Sequence, residues 1–495
     1  MALMTGDQYL ESLRKLNTKV YMFGEKVTNW VDHPIIRPSI NSVKMTYDLA
    51  QEPEYEDLML AESNLLPGQK VNRFTHLHQS TDDLIKKVKM QRLLGQKTGS
   101  CFQRCVGMDA FNAVYSTTYE IDEKYGTHYH ENFINYLKYV QENDLTVDGA
   151  MTDPKGDRSL APHQQADKDL YLRIVEKRSD GIIVSGAKAH QTGSINSHSH
   201  IIMPTVAMKE EDQDYAVSFA VPSDAEGLFM VYGRQSCDWR KMLENNNTID
   251  VGNKEFGGQE ALVIFDHVFI PNEMVFMCGE YDFTSMIVER FAGYHRQSYG
   301  GCKPGVGDVL IGAAALAADY NGCPKASHIK DKLIEMVFLN ENMFSCGIAC
   351  SAQGSKTKAG NYEIDYMLAN VCKQTVTRFP YEITRLAEDI AGGLVVTMPA
   401  EIDFKSQTKV DTKSDLTIGE WTTKYFAGNA AVSTEARQRV LRLIENMCLG
   451  TAAVGYRTES LHGAGSPQAQ RIMISRLSNM EEKKVLAKKI AGIKE

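Results

Sequence analysis

Three cysteines and one histidine could form a metal centre in this chain. Cys101 and Cys105 stand four residues apart in GSCFQRCVGMDAFN, and Cys302 follows His295 in HRQSYGGC. If the four side chains meet, they offer three thiolates and one imidazole to a soft metal centre. An iron–sulfur cluster held in this way would have one iron bound by histidine instead of a fourth thiolate, and that iron would be open to chemistry.

Helical spacing indicates how these donors could be positioned. Side chains four residues apart share one face of a helix, so we expect one helix from Cys101 to Val114 to present both cysteines together. His295 and Cys302 are seven residues apart, about two helical turns, and can share a face in the same way. The polar residues around His295 precede an apolar run, and polar groups that must be buried favour a site there.

A second pair shows that spacing alone does not identify a metal site. Cys346 and Cys350 repeat the four-residue interval in FSCGIAC. Cysteine is among the most buried residue types, so we interpret this second pair as core packing. Taken without other information, the same interpretation holds for Cys101 and Cys105.

Two glutamates and two short loops complete the candidate chemistry. Glu260 begins a predicted strand in GGQEALVIFD, and Glu459 lies in the predicted loop YRTESLHG. Most glutamates are merely solvated, so neither is a site by itself. The loop MTDPKGDR (151–158) combines a turn with two cations, and its backbone amides could approach an anionic cofactor. HQTG (190–193) ends a predicted strand.

Composition excludes several function classes. The chain has 495 residues, a net charge of −9 and a pI near 5.9, which give no electrostatic reason to expect a nucleic acid. The most apolar stretch, 309–318, is about half a membrane span, and the N-terminus has no apolar signal core. We therefore expect a cytoplasmic protein without membrane partners, in which the ten cysteines are not disulfide-bonded.

The order of predicted elements is helices, then strands, then helices. Ser80 is a good N-cap for a helix over 80–96, and Asp180-Gly181 is typical of a hairpin turn. Further helices are predicted over 283–317, 361–391, 433–447 and 469–477. We expect an α+β multidomain chain: an N-terminal helical domain (1–147), a middle antiparallel β-barrel or sandwich (148–279) and a C-terminal helical bundle (280–495).

This order resembles the acyl-CoA dehydrogenase fold, in which flavin lies between the β-domain and the C-terminal bundle. FDHVFIP (265–271) is similar to the strand that closes the β-domain, and AEDIAGG (387–393) to the segment that reaches the dinucleotide of a neighbouring subunit. Asp389 stands where dehydrogenases usually have Gln. MTDPKGDR, GAKAHQTGS and YRTESLHGAGSPQAQR resemble the branch of the flavin-dependent 4-hydroxyphenylacetate 3-hydroxylases. The cysteine pair and HRQSYGGC, which hydroxylases lack, resemble the acyl-CoA dehydratases of that branch.

The resemblance implies FAD and one 4Fe–4S cluster per subunit. It implies radical dehydration of an acyl-CoA thioester, 4-hydroxybutyryl-CoA, to crotonyl-CoA, isomerisation of vinylacetyl-CoA to crotonyl-CoA, and a homotetramer built from dimers. The implied cluster ligands are Cys101, Cys105, His295 and Cys302, and the implied catalytic residues are His295, Tyr299, Glu260 and Glu459. The implied cofactor-binding residues are Met151, Thr152, Asp153, Pro154, Lys155, Gly156, Asp157, Arg158, His190, Gln191, Thr192, Asp389, Gly392 and Gly393, with the Thr192 hydroxyl donating to the flavin ring.

Three other functions are compatible with parts of the pattern. A flavin-dependent aromatic monooxygenase of the 4-hydroxyphenylacetate hydroxylase type would share the fold and flavin loops but need no iron. An acyl-CoA dehydrogenase would pass two electrons to an electron-transfer protein and would also need no cluster. A scaffolding member without turnover would bind no flavin.

Overall fold

The computed structural model describes residues 3–242 and 248–493. Helices and strands alternate over several apolar cores, so the predicted mixed multidomain class is confirmed at that level. The helices of the described residues are α1 (Gly6–Arg14), α2 (Arg37–Asp48), α3 (Glu56–Met59), α4 (Thr81–Thr98), α5 (Cys105–Tyr125), α6 (Tyr129–Glu142), α7 (Thr284–Tyr320), α8 (Ser327–Ala352), α9 (Tyr366–Val376), α10 (Phe379–Ala391), α11 (Leu394–Thr397), α12 (Glu401–Lys405), α13 (Ile418–Tyr425), α14 (Thr434–Cys448), α15 (Thr451–Ala453), α16 (Glu459–His462), α17 (Pro467–Leu477) and α18 (Met480–Ile490).

The strands of the described residues form two larger sheets and two short hairpins. They are β1 (Val20–Met22), β2 (Glu25–Lys26), β3 (Leu60–Glu62), β4 (Lys70–Asn72), β5 (Val147–Ala150), β6 (Arg173–Lys177), β7 (Gly181–Thr192), β8 (Ser199–Ile202), β9 (Val217–Pro222), β10 (Leu228–Tyr232), β11 (Glu260–Pro271), β12 (Val275–Cys278), β13 (Ser355–Lys356) and β14 (Tyr362–Glu363). The order is β2-β1-β10-β11-β7-β6 in one sheet and β12-β9-β8-β5 in the other.

Two strand pairs differ from the predicted antiparallel arrangement. β1 pairs with β10 and β5 pairs with β8, both in parallel register. β1 and β2 come from the N-terminal segment that was predicted to be helical, and they extend the sheet of the middle segment. The prediction is wrong for these pairs because a short strand gains its partner through tertiary contacts that local periodicity does not show.

Most of the predicted local elements are present. The Ser80 side chain accepts a hydrogen bond from the backbone N–H of Asp83 at the start of α4, and β6 and β7 form the predicted antiparallel hairpin. The single helix predicted over 361–391 is wrong, because α9 ends at Val376 and α10 begins at Phe379. Pro380 lies in the first turn of α10, where a proline fits because the backbone N–H that it lacks would have no helical partner there.

Buried apolar side chains form three cores within residues 3–242 and 248–493. One core joins α7 and α8 to α10 and α14, and a second joins α1 and α2 to the six-stranded sheet. The third packs α5 and α6 against the four-stranded sheet and the start of α7. α7 therefore contributes to two cores, and the side chains along its first half are buried between them.

Two glycines let α7 approach its neighbours closely. A Cβ on Gly301 would lie 2.4 Å from the backbone oxygen of Val88 in α4, and one on Gly300 would lie 2.5 Å from the Cα of Gly347 in α8. Real Cβ atoms do not make such contacts, so both helices would have to move. This close packing fixes the half of α7 that carries His295 and Cys302.

We expect Gly301→Ala to lower the midpoint of thermal unfolding, because overpacking against backbone costs about 1–3 kcal/mol. Gly312→Ala is the matched control in the same helix, since a Cβ there has no heavy atom within 4 Å. Alanine is the better helix former by about 1 kcal/mol, so Gly312→Ala should raise the midpoint. Shifts of the same sign in both variants would contradict the proposed close contact.

One helix of the described residues, α8, is long and apolar enough to cross a membrane, and 33% of its most apolar window is buried inside the molecule. A single helix of this kind is weak evidence of a membrane span, because core helices of soluble proteins meet the same criteria. The absence of a membrane partner stays a prediction.

Candidate functional site

Successive turns of α7 carry most of the candidate site. His295, Tyr299, Cys302 and Lys303 follow one another at intervals of four, three and one residues, and each is at most 9% exposed. Helical periodicity places the first three side chains on the same side of the helix. The predicted positioning of His295 and Cys302 on one regular helix is therefore confirmed.

Cys101 and Cys105 do not lie on one helix, so that prediction is wrong. Gly99 ends α4 in the left-handed conformation, with φ at +58°, and α5 begins only at Cys105. Cys101 lies in the connecting segment, where Gln103 also has a positive φ of 67°. The segment turns because these residues leave the helical region, and Cys101 reaches the site from a loop.

The three predicted thiols still lie close enough to interact. Burial raises the pKa of Cys105 well above its usual value, and the charges of Cys101 and Cys302 raise it further. Burial likewise raises the pKa of Cys101 and Cys302. All described cysteines are free thiols. These effects place the half-buried Cys101 near the buried Cys105 and Cys302, and we call the three residues the thiol cluster.

The thiol cluster does not form a site for a single metal ion. Among residues 3–242 and 248–493, no three His, Cys, Asp or Glu side chains are placed to hold one ion. An iron–sulfur cluster makes a different demand, because its protein donors bind separate iron atoms. Three free, mutually interacting thiols and a histidine on the same helix as one of them are the donor types that such a cluster takes.

His295 is held by a buried carboxylate. Its Nδ1 lies 2.8 Å from Oδ2 of Asp109. Asp109 is fully buried on α5, and its Oδ1 accepts a hydrogen bond of 2.6 Å from the Lys87 ammonium of α4. Burial alone would raise the pKa of Asp109, but the Lys87 charge and the His295 hydrogen bond hold it below the usual value. Asp109 is therefore ionised near neutral pH.

Tyr299 lies between His295 and two lysines. Its ring centroid is 4.8 Å from that of His295, and the ammonium groups of Lys303 and Lys373 lie 4.5 and 4.3 Å from the ring. A Cβ on Gly463 would come within 1.9 Å of the tyrosine hydroxyl, so the chain needs glycine there. Burial raises the pKa of Tyr299 well above its usual value, and the phenol stays protonated.

Two carboxylates and a hydroxyl meet beside the thiol cluster. Glu260 starts β11 directly opposite Thr192, the last residue of β7. The Thr192 hydroxyl lies 2.8 and 2.9 Å from the two Glu260 oxygens and 3.2 Å from Oε1 of Glu459. Glu459 follows a π-helical turn, Val454–Thr458, and such turns often occur at functional sites. The structure therefore brings all three predicted residues together.

The two carboxylates have opposite proton affinities. Burial raises the pKa of Glu260 well above its usual value, and the charge of Glu459 raises it further. Burial would also raise the pKa of Glu459, but Lys303 at 3.1 Å holds it below the usual value. The two shifts run in opposite directions and favour Glu260 as the proton donor and Glu459 as the proton acceptor, which is how paired carboxylates divide acid and base roles.

Four buried charged residues of the site were not predicted from the sequence. Lys303 donates to Glu459 and to the backbone oxygen of Gly455, and Lys373 donates to the backbone oxygen of Glu459 at 3.2 Å. Burial lowers the pKa of Lys373 well below its usual value, as do the charges of Lys303 and Arg296. The others are Lys87 and Asp109. Two had local signals, since Lys303 directly follows Cys302 and Asp109 lies one helical turn after Cys105.

The loop 151–158 lies next to the strand end that carries Thr192. The Gln191 amide and the Ala189 backbone N–H both donate to the Thr152 oxygen at 2.9 Å. Residues 155–158 are exposed, and Gly156 takes a positive φ of 51°. The loop and the exposed His190 are thus close to the acid–base pair, but their predicted contacts to flavin stay predictions.

Lys188 anchors this loop. Its ammonium lies 2.8 Å from the Asp153 carboxylate and donates to the backbone oxygens of Met151 and Met203. Both side chains are almost fully buried, at 2% and 3% exposure. Asp153 therefore has a structural partner, and its carboxylate fixes the loop conformation.

Asp389, Gly392 and Gly393 lie apart from these groups, at the end of α10 and the start of α11. The Asp389 carboxylate pairs with Lys332 at 2.7 Å, and the exposed Gly392 takes a positive φ of 74°. One chain by itself does not bring them to the site, and their contact to a neighbouring subunit's cofactor stays a prediction.

Both halves of the chain match the same enzyme family. Residues 5–277 match the N-terminal family of 4-hydroxyphenylacetate 3-hydroxylase, and residues 284–492 match the C-terminal family of the same enzyme. The chain is 74% identical over 492 residues to a 4-hydroxybutyryl-CoA dehydratase/vinylacetyl-CoA-Δ-isomerase of Clostridium aminobutyricum, covering 99% of this chain and 100% of the relative. A 4-hydroxyphenylacetate 3-monooxygenase oxygenase component of Thermus thermophilus is 24% identical, covering 90% of this chain and 88% of the relative.

Solved structures show the same relationship. The structure of an oxygen-tolerant archaeal 4-hydroxybutyryl-CoA dehydratase from N. maritimus superposes with a TM-score of 0.95 at 59% identity, covering 100% of this chain and 96% of that one. The oxygenase component of 4-hydroxyphenylacetate 3-monooxygenase complexed with FAD superposes with a TM-score of 0.84 at 22% identity, covering 98% of each chain, which shows the fold alone. The chain belongs to the 4-hydroxyphenylacetate 3-hydroxylase family and, within it, to the group of the 4-hydroxybutyryl-CoA dehydratases/vinylacetyl-CoA-Δ-isomerases.

Proposed function

We propose that the chain dehydrates 4-hydroxybutyryl-CoA to crotonyl-CoA and isomerises vinylacetyl-CoA to crotonyl-CoA, with FAD and a 4Fe–4S cluster as cofactors. One observation carries the proposal. In a chain 74% identical to an enzyme of that name, two buried thiols, the half-buried Cys101 and a histidine lie beside two carboxylates whose pKa values are shifted in opposite directions. An aromatic hydroxylase needs neither the thiols nor the histidine.

The reaction requires more than ordinary acid–base chemistry. Hydroxide must leave from the γ-carbon, and no carbonyl acidifies the proton on the neighbouring β-carbon. A two-electron elimination would need a base stronger than protein side chains provide. When bound, flavin supplies one-electron exchange with the thioester, and the histidine-held iron supplies a Lewis-acid position for the leaving hydroxyl.

The residues of this chain move and hold the protons. The ionised Glu459, held by Lys303, is placed to accept a proton, and the protonated Glu260 is placed to donate one. We assign to His295 the role of a base toward the substrate, which its Nε2 could fill only when it is free of the iron. The Tyr299 phenol stays protonated, so it donates a hydrogen bond to orient the substrate hydroxyl. Burial of these groups excludes bulk water and strengthens their interactions.

We assign the loop 151–158 and the strand end 190–192 to FAD. Exposed backbone amides and the side chains of Lys155 and Arg158 suit an anionic cofactor. The Thr192 hydroxyl is assigned to the flavin ring, although it contacts both carboxylates here.

Lys188→Met should weaken FAD binding, because it leaves the buried Asp153 carboxylate without its cation and frees the loop. Loss of one partner of a buried ion pair costs about 3–5 kcal/mol. We expect less FAD to remain bound after gel filtration, and a higher Kd on titration with FAD. Lys177→Met on the neighbouring strand β6 is the control and should leave both unchanged. Equal FAD affinity in the two variants would show that the pair does not hold the cofactor loop.

The remaining assignments concern the whole protein. We propose a cytoplasmic homotetramer built from dimers, in which residues 387–393 reach the FAD of a neighbouring subunit. Residues 1–147, 148–279 and 280–495 are proposed as the three domains, with β1 and β2 of the first domain added to the sheet of the second. The exposed glycines 392 and 393 and the near-surface Asp389 support the intersubunit contact.

The test is turnover by anaerobically purified protein. We expect crotonyl-CoA from 4-hydroxybutyryl-CoA and from vinylacetyl-CoA without oxygen or an added reductase. An oxygen-dependent hydroxylation of a phenol, with no crotonyl-CoA formed, would instead establish the monooxygenase alternative. Net oxidation of a saturated acyl-CoA would establish a dehydrogenase, because the dehydratase reaction is redox-neutral.

A further inference from the structure

Hydrogen bonds connect His295 to two further buried residues on the side away from the site. Lys87 of α4, Asp109 of α5 and His295 of α7 are linked by hydrogen bonds of 2.6 and 2.8 Å. Lys87 and Asp109 are fully buried. Together with His295 they connect α4, α5 and α7. Burying an ion pair is costly and often gives no net stability, so its presence here calls for another role.

The donor and acceptor roles of the three linked side chains are fixed by their chemistry. The Lys87 ammonium has three N–H bonds, and they are directed at the Asp109 carboxylate, the Gln297 side-chain oxygen at 2.9 Å and the Tyr294 backbone oxygen at 3.1 Å. The Asp109 carboxylate can only accept, with Oδ1 toward Lys87 and Oδ2 toward His295. His295 must therefore donate from Nδ1.

The tautomer of the histidine follows. With the proton on Nδ1, Nε2 of a neutral imidazole carries the lone pair, and only that nitrogen can bind a metal. Histidines that bind metals commonly donate their other ring N–H to a carboxylate, which fixes both tautomer and ring orientation.

We propose that Asp109, anchored by Lys87, is a positioning residue that holds His295 in its Nδ1–H tautomer and presents Nε2 to the iron of the cluster. This inference rests on the proposed function. It adds that Asp109 and Lys87, which do not bind the iron themselves, support the histidine ligand. The orientation of the Asp109 carboxylate then decides whether His295 is available as the fourth donor.

Asp109→Asn tests the proposal through the orientation of an amide. An amide has one oxygen and one NH2 group, and Lys87 requires the oxygen because an ammonium can only donate. The NH2 group then faces His295, whose Nδ1 must accept, and the proton moves to Nε2. We expect the variant to lose the histidine-bound iron.

The primary readout is the iron of anaerobically purified holoenzyme. In Asp109→Asn we expect iron to fall from about four towards three atoms per subunit, with loss of one distinct component of the Mössbauer spectrum. Changing a residue that hydrogen-bonds to a metal ligand typically costs about 10–100-fold in metal affinity. The control is Ser298→Ala, which removes a hydroxyl that donates to the same carboxylate at 3.1 Å but leaves Lys87 and the tautomer in place.

The double variant Lys87→Met/Asp109→Asn separates positioning from structural support. Without the ammonium the amide is free to turn its oxygen to His295, so the histidine-bound iron should return. The double variant also leaves no uncompensated buried charge, and so it stays informative where the single variant folds poorly.

The outcomes are distinct. Restored iron in the double variant supports the proposal. A double variant as iron-depleted as Asp109→Asn, or an Asp109→Asn enzyme with unchanged iron and spectrum, overturns it while leaving the proposed function intact. Wild-type enzyme without iron and sulfide would overturn both.

Discussion

Replacing His295 by alanine should abolish dehydration while flavin remains bound. The imidazole Nε2 is the only proposed nitrogen donor to the cluster, and its removal takes away both an iron ligand and the assigned base. A general base alone contributes about 10²–10⁴-fold to a rate. We expect crotonyl-CoA formation from 4-hydroxybutyryl-CoA to fall by at least about 10³-fold, measured anaerobically at equal FAD content.

His295→Cys is the informative companion of this variant. A fourth thiolate can hold the iron, so we expect iron and sulfide to stay near the wild-type level. The position that histidine leaves open to the substrate hydroxyl would then be closed, and dehydration should still be lost. Full turnover with cysteine at this position would rule out the role assigned to the imidazole.

Glu459→Gln should cause the second large loss of dehydratase activity. It removes the only carboxylate of the pair that is ionised near neutral pH, and it leaves Lys303 and the protonated Glu260 without an acceptor charge. We expect kcat to fall by about 10²–10⁴-fold. KM should change little if Glu459 acts on protons and not on the CoA portion. The steady-state constants for 4-hydroxybutyryl-CoA measure both effects.

Lys303→Met tests the cause of the Glu459 ionisation through the pH profile. Lys303 lowers the pKa of Glu459, so without it the pKa rises and the carboxylate is ionised only at higher pH. The acidic limb of the kcat/KM profile should therefore move to higher pH, with partial recovery of activity as the pH increases. A profile that falls uniformly without moving would mean that Lys303 acts in some other way.

The local elements of this fold were predictable because their signals are local. Ser80 caps α4, the Asp180-Gly181 turn joins β6 to β7, and α7 covers all but the first residue of the predicted range 283–317. Each of these signals depends on residues that are close together in the sequence. The sequence therefore predicted the helix that carries His295 and Cys302.

The path of the chain around Cys101 was not predictable in the same way. The four-residue interval suggested one helix, but Gly99 and Gln103 take left-handed conformations and place Cys101 in a loop. Residue type gives only a weak preference for such conformations, especially for Gln103. The site prediction was unaffected, because the loop still directs Cys101 towards Cys105 and Cys302.

The charged groups behind the site depend on tertiary contacts. Lys87 and Asp109 are 22 residues apart, and Lys303 and Glu459 are 156 apart. No periodicity or spacing relates such pairs, and a lone lysine in a sequence normally indicates a solvated surface. Only the fold shows that these cations are buried against carboxylates, and hence that Glu459 is ionised and His295 is oriented.

Iron and acid-labile sulfide per subunit, measured in cysteine variants purified without oxygen, test the thiol cluster most directly. We expect Cys101→Ser, Cys105→Ser and Cys302→Ser each to lose iron, sulfide and the broad visible absorption. The double variant Cys346→Ser/Cys350→Ser has the same four-residue interval on α8 and should retain wild-type levels. Loss of iron in that control with full retention in any of the three single variants would contradict the proposed cluster site.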